Sequence, residues 1–182
     1  IPQWEVDAGF AYSLIDNHLY NDTLGYVRQS GDLLNVMSAY LRKDFKVWLF
    51  HLDHRALFQY SSNQDILPLP MCTFHFRYYL EFTAVKNVLD IQIGADATFS
   101  TKYYAPAYNP ALGTFHAQNK ELVGNNPYID VFVNLQWKRA SIFLKVVNVA
   151  QGWPNKDIFS AYRYVKPYRT FKVGIHWPFY IK

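Results

Sequence analysis

Polar and apolar residues alternate one by one along most of this chain, over long segments whose polar positions carry charges at mid-segment. From Val88 to Tyr103 one set reads Leu89, Ile91, Ile93, Ala95, Ala97, Phe99, Thr101 and Tyr103. The other set reads Val88, Asp90, Gln92, Gly94, Asp96, Thr98, Ser100 and Lys102. A period of two puts such sets on opposite faces of a β-sheet. The same split recurs over Tyr128–Lys138, where Ile129, Val131, Val133, Leu135 and Trp137 oppose Asp130, Asn134, Gln136 and Lys138, with Phe132 as the exception. It recurs again between Cys72 and Thr83, at the N-terminus from Trp4 to Ser13, and at the C-terminus from Phe171 to Tyr180.

The chain has 182 residues, enough for one domain. Apolar residues make up 51% of it while the mean hydropathy is −0.15, so the two kinds are finely mixed. A membrane helix needs about 20 consecutive apolar residues. The best stretch, Ala140 to Ala150, is interrupted by Lys145 and Asn148. Aromatics reach 19%, which favours strands. The net charge is +4, from 18 basic and 14 acidic residues, but Lys and Arg form no stripe, so a nucleic-acid partner is not expected. Cys72 is the single cysteine, which leaves no internal disulfide and makes it an apolar filler. Ile1-Pro2-Gln3-Trp4 has neither a basic nor an apolar leader region, so for an exported protein the chain is expected to be processed or truncated at its front.

A soluble sandwich also alternates, and two features tilt the balance away from it. The apolar faces are long and rich in Phe, Tyr and Trp, and a soluble core would have to hide all of them. The connections also alternate in length. Arg42-Lys43-Asp44, Ala84-Val85-Lys86 and Lys138-Arg139-Ala140 look like tight turns, whereas Ser61–Pro70, Ala105–Asn126 and Gln151–Tyr168 are long and contain Pro with Asn or Gly. That layout suits an outer-membrane barrel with short periplasmic turns and long extracellular loops. In hydrocarbon every backbone polar group must be paired, so an all-β solution is a closed antiparallel barrel, apolar outside and polar within.

A charge facing lipid at mid-depth costs about 2–4 kcal/mol, which assigns the charged positions to the lumen. The candidate pore-lining set is His51, Asp53, Arg55, Arg77, Glu81, Asp90, Gln92, Asp96, Lys102, Asp130, Asn134, Gln136, Lys145, Lys172 and His176. Trp4, Trp48, Trp137, Trp177, Tyr60 and Tyr103 are expected at the interfacial girdles. Strands are expected at 3–12, 18–28, 31–42, 45–60, 70–83, 86–103, 127–138, 140–149 and 169–181. Nine is an odd number and bacterial single-chain barrels have even ones, so a further strand is expected upstream of Ile1 or inside the Ala105–Asn126 connector.

No catalytic constellation emerges. His51 and His54 are three apart, which sends them to opposite faces of a strand. His51, Asp53 and Arg55 share a face, where a hydrogen-bond ladder is favoured over chelation. There is no Gly-x-Ser-x-Gly, no Gly-rich phosphate loop and no Cys pair, so neither an enzyme nor a cofactor is expected. Asn21-Asp22-Thr23 fits a glycosylation pattern that is common by chance.

Several blocks resemble the Bacteroidetes putative porin family. They are Val88–Asp96, Tyr103–Pro110, Phe115–Asn119, Asp130–Asn134, Lys138–Lys145 and the closing Arg169–Phe179. The likeness is strongest from about Leu67 onward and is moderately specific. It implies an outer-membrane barrel of which this chain is the C-terminal portion, with a channel role and no catalytic residues. Outer-membrane barrels usually end on an aromatic residue, whereas this chain continues past Phe179-Tyr180 to Ile181-Lys182. The expected function is passive passage of small polar solutes across the outer membrane, with lipid and possible outer-membrane or self partners. The alternatives are a docking barrel in a larger outer-membrane complex, whose loops bind proteins, and a soluble barrel or sandwich for an apolar ligand.

Overall fold

The computed structural model describes residues 6–154 and 159–179. In chain order its strands are β1 (Val6–Ile15), β2 (Leu19–Asn21), β3 (Val27–Gln29), β4 (Leu34–Val47), β5 (Phe50–Ser61), β6 (Cys72–Val85) and β7 (Leu89–Ser100). They continue as β8 (Ala107–Asn109), β9 (Thr114–His116), β10 (Tyr128–Trp137), β11 (Ala140–Val147), β12 (Phe159–Ala161), β13 (Tyr164–Val165) and β14 (Thr170–His176). Eight of them form one sheet in the order β1-β4-β5-β6-β7-β10-β11-β14, and every pairing is antiparallel. The remaining six form three small hairpins, β2–β3, β8–β9 and β12–β13. Among the described residues no helix is long and apolar enough to cross a membrane.

One end of the sheet carries only tight turns. Trp48, Asn87 and Lys138 take left-handed backbone there, with φ of 56°, 59° and 53°. Reversals this short need positive φ to match the right-handed twist of the strands they join. The opposite end carries the long connections, and three of these contain a small hairpin. The Asn21 side chain donates to Thr114 Oγ1 at 3.0 Å and to the Phe115 carbonyl at 2.8 Å, tying β2–β3 to β8–β9. Gln118, only 7% exposed, donates to the carbonyls of Ala105 and Glu121 and accepts from the amides of Lys120 and Glu121. It thereby fixes the 105–126 connector. The β7 end is joined to that connector by Asn125 N to Ser100 O (2.7 Å) and by the Tyr103–Val123 bridge.

Several sequence expectations are corrected. Residues 18–28 do not form a sheet strand, because Asp22 and Gly25 turn the chain there and leave the β2–β3 hairpin. The expected turn at Arg42-Lys43-Asp44 lies inside β4, which stays paired with β5 from Val36↔Ser61 to Val47↔Phe50. The reversal comes at Trp48, where the backbone turns left-handed. With 18–28 out of the sheet the expected nine strands become eight, and the 105–126 connector, where a further strand was expected, adds a hairpin and no sheet strand. Neither β1 nor β14 is paired with the other, so the eight do not close on themselves among the described residues. β14 stops at His176 instead of 181, and residues 1–5, 155–158 and 180–182 lie outside the described set. The latter include Trp4, the first residues expected for β1 and the terminal Tyr180-Ile181-Lys182.

The register divides the sheet cleanly. One face carries Phe10, Tyr12, Leu41, Phe58, Phe74, Phe76, Ile93, Val133, Leu144 and Val173, with their neighbours two residues away. Among the described residues no second layer covers it. Phe10 is 70% exposed, Ile175 68% and Phe171 63%, whereas the residues under 3% are Leu34, Ser61, Ala105 and Ala107, all at the loop end. Hydrophobic burial in this unit is therefore concentrated under the loops. Lys43, expected in a turn, sits on the apolar face beside His54 because β4 runs through it. Its ammonium lies 4.7 Å from the Phe45 ring centre, and Tyr78 OH is bonded to His54 Nε2 at 2.8 Å.

Candidate functional site

The opposite face collects the polar set. Following the register from β4 to β14, it carries Arg42, Asp44 and Lys46, then His51, Asp53 and Arg55, then Arg77 and Glu81. Asp90, Gln92 and Asp96 follow on β7, Asp130, Asn134 and Gln136 on β10, Lys145 on β11, and Lys172 and His176 on β14. Fourteen of the fifteen candidate residues thus share one face, since directly opposed residues in an antiparallel ladder point to the same side. Lys102 is the exception: β7 ends at Ser100, and Lys102 lies exposed in the connector. His51 and His54 fall on opposite faces, as their spacing requires.

Side-chain bonds run across the strands in two tiers. In the first, Asp96 and Asp130 are directly opposed, a repulsive placement that two cations offset. Lys145 Nζ lies 2.8 Å from Asp130 and 3.6 Å from Asp96, and Arg77 Nε lies 3.2 Å from Asp96. The Arg77 guanidinium also stands 5.1 Å from the centre of the Phe132 ring. Phe132, the one break in the alternation, is 4% exposed because it packs over Gly94, its register partner. A Cβ at Gly94 would meet the Tyr78 carbonyl and come within 2.9 Å of the Phe132 ring.

The second tier lies nearer the tight turns. Asn134 donates to Gln92 Oε1 (3.2 Å), and Gln92 donates to Glu81 Oε2 (3.0 Å). Glu81 lies 3.9 Å from His51 Nε2, and His51 stacks on Tyr79 at 4.6 Å. Thr83 donates to Asp90 at 2.6 Å and Ser141 to Gln136 at 2.5 Å. Beside this tier is a recess of about 460 Å³ whose lining includes Glu81, Asp90, Gln92, Asn134, Ser141 and Phe143.

Sequence reasoning missed Arg42 and Asp44, because a turn was expected where β4 continues, and Lys46, which fell at the start of the next expected strand. Their period-two spacing was the signal. It also missed Phe143 and Tyr40, aromatic residues on the polar face, which pack over Gly174 and Gly9 of the neighbouring strands. A glycine two positions from a polar residue, with an aromatic opposite, was the available clue. Of the aromatic residues expected at strand ends, Trp48, Trp137 and Trp177 gather at the tight-turn end, and all three are more than half exposed. Tyr60 lies near the loop end of β5. Tyr103 belongs to the connector, where burial pushes its hydroxyl above the usual tyrosine value. Among the described residues there is no group of three or more His, Cys, Asp or Glu side chains placed to hold a metal.

No curated protein and no solved structure gave a match to this chain. The family description "putative porin" matches residues 1–180. An all-antiparallel sheet with one charged face and one uncovered aromatic face accords with that match, and the chain belongs to the putative porin family.

Proposed function

We propose that the eight-strand sheet is part of an outer-membrane barrel that passes small polar solutes, with the polar face lining the lumen and the apolar face against lipid. The observation that carries this reading is the uncovered apolar face, eight strands wide, backed by a face on which charges are cross-linked. A surface of that extent is far beyond what a soluble monomer exposes. In hydrocarbon the free edges of β1 and β14 must also be paired, since each orphan backbone group costs several kcal/mol. Closure therefore pairs both edges, with each other or with further strands, and the strand number sets the pore diameter. The tight turns would face the periplasm and the hairpin-bearing loops the exterior. The reading gives the chain no catalytic role, no cofactor and no nucleic-acid partner. Membrane lipid is its first partner, and other outer-membrane proteins or further copies remain partners of the second rank.

The test is planar-bilayer conductance of the purified full-length protein. Discrete, ohmic openings support the channel. Stable insertion without openings would transfer the role to docking. A protein that stays monodisperse in buffer without detergent would end the membrane reading altogether.

A further inference from the structure

The recess beside the second tier combines features that the channel reading alone does not require. Its acceptors are two carboxylates, Glu81 and Asp90, neither of which has a Lys or Arg within ion-pair distance among the described residues. Each is instead oriented by a neutral donor, Gln92 for Glu81 and Thr83 for Asp90. Histidine approaches only Glu81, at 3.9 Å. Asn134 completes the row by donating to Gln92, and among the described residues its own carbonyl oxygen accepts no hydrogen bond. On the side of β11 stands Phe143, 46% exposed on the polar face. Its ring lies against the backbone of Gly174, where a Cβ would collide with it. One ring face is thus covered by glycine, and the recess borders the remainder.

Oriented carboxylate and amide oxygens beside an exposed aromatic ring form a surface for a polyhydroxylated ring. The hydroxyls donate to fixed acceptors, and the apolar C–H face packs on the aromatic one. A volume of about 460 Å³ is within the range of small-ligand sites and admits a sugar unit or two. The lack of paired cations disfavours anions, and acceptors held by amides and hydroxyls favour a neutral donor-rich solute over a metal ion. We infer that this recess, formed by Glu81, Asp90, Gln92, Asn134, Ser141 and Phe143, is a subsite for a neutral saccharide on the solute path. The inference rests on the channel reading for its place in transport, but not for binding itself.

The experiment therefore has two arms on the full-length protein, with maltose as the probe. In bilayers, maltose should block ion current saturably. In detergent, calorimetry should show saturable binding. Asn134→Ala and Phe143→Ala should each weaken both by about fivefold, as the loss of one hydrogen bond or one packed ring face implies. Asp65→Asn, exposed in the connection between β5 and β6 at the other end of the sheet, should leave both unchanged. Binding by calorimetry in a protein without openings would overturn the channel reading and keep the subsite. Openings with neither block nor binding, or binding that both recess variants retain, would overturn the subsite. So would binding of calcium, lost in Glu81→Gln and Asp90→Asn, with no binding of maltose.

Discussion

Val133 and Asn134 are neighbours on β10, and the register sends them to opposite faces, Val133 beside Ile93 and Leu144, Asn134 beside Gln92 and Phe143. If the apolar face meets lipid, Val133→Arg should cost about 2–4 kcal/mol in folding yield into liposomes. Asn134→Arg should fold with little penalty and shift ion selectivity toward anions. Equal tolerance at both positions would count against the two-faced sheet as a membrane element, and a Val133 penalty that appears in plain buffer would favour a soluble core. A second residue-scale expectation concerns Asp22 in the β2–β3 hairpin. One carboxylate oxygen accepts from the amides of Leu24 (2.9 Å) and Tyr26 (3.0 Å), the other from Arg28 Nε (2.9 Å). The Arg28 hydrogen bond, with the backbone amides, holds the Asp22 carboxyl below its ordinary value. A carboxyl with a lowered folded value stabilises above the ordinary value of about 3.9 and loses that contribution as pH falls through the lowered one. Hydrogen-exchange protection of the Leu24 and Tyr26 amides should hold from neutrality down to that range and fall below it. Asp22→Ala should remove the protection at all pH values.

At the scale of the element, the cross-strand ties on the polar face hold β6, β7, β10 and β11 together. Lys145 spans two neighbours, because Asp130 is on the adjacent strand and Asp96 on the next one over. Without it the opposed carboxylates Asp96 and Asp130 keep only Arg77, on the far side. Lys145→Met should lower stability by about 1.5 kcal/mol, the low end for a charged hydrogen bond, because the group is partly exposed. Adding Asp130→Asn should recover part of the loss, since the repulsion disappears with the charge. A double-mutant cycle by urea titration in liposomes would read the coupling, and strict additivity would show the tie to be energetically idle. The glycine–aromatic pairs act on the same scale: at Gly94 with Phe132 and Gly174 with Phe143 a ring takes the space a Cβ would fill, which favours this register of their strands.

For the whole molecule, both the first and last sheet strands run with their free ends toward the tight turns, and every long connection lies at the other end. That end is also where burial is deepest, so the loops form an ordered cap on the sheet. The 105–126 connector, docked through Asn21 and Gln118, is then expected on the cell exterior, folding over or into the mouth. Protease added to intact cells should cleave within Pro110–Gly113, the exposed tip of β8–β9. Cleavage only after rupture of the outer membrane would invert the topology.

Much of this was legible in the residues alone. Alternation of period two fixes which side chains share a face, whatever the sheet's neighbours, and the common face of fourteen candidate positions followed from it. Strand ends and the pairing of distant segments were not legible. Arg42-Lys43-Asp44 has turn composition, yet β4 continues through it because twelve residues pair with β5. The segment 18–28 has strand composition, yet local bonds to Asp22 curl it into a hairpin. Periodicity is local and survives in sequence. Strand length, the partners of Lys145, the rings over glycine and the recess at Glu81 depend on contacts between residues far apart in the chain, and only the tertiary structure decides those.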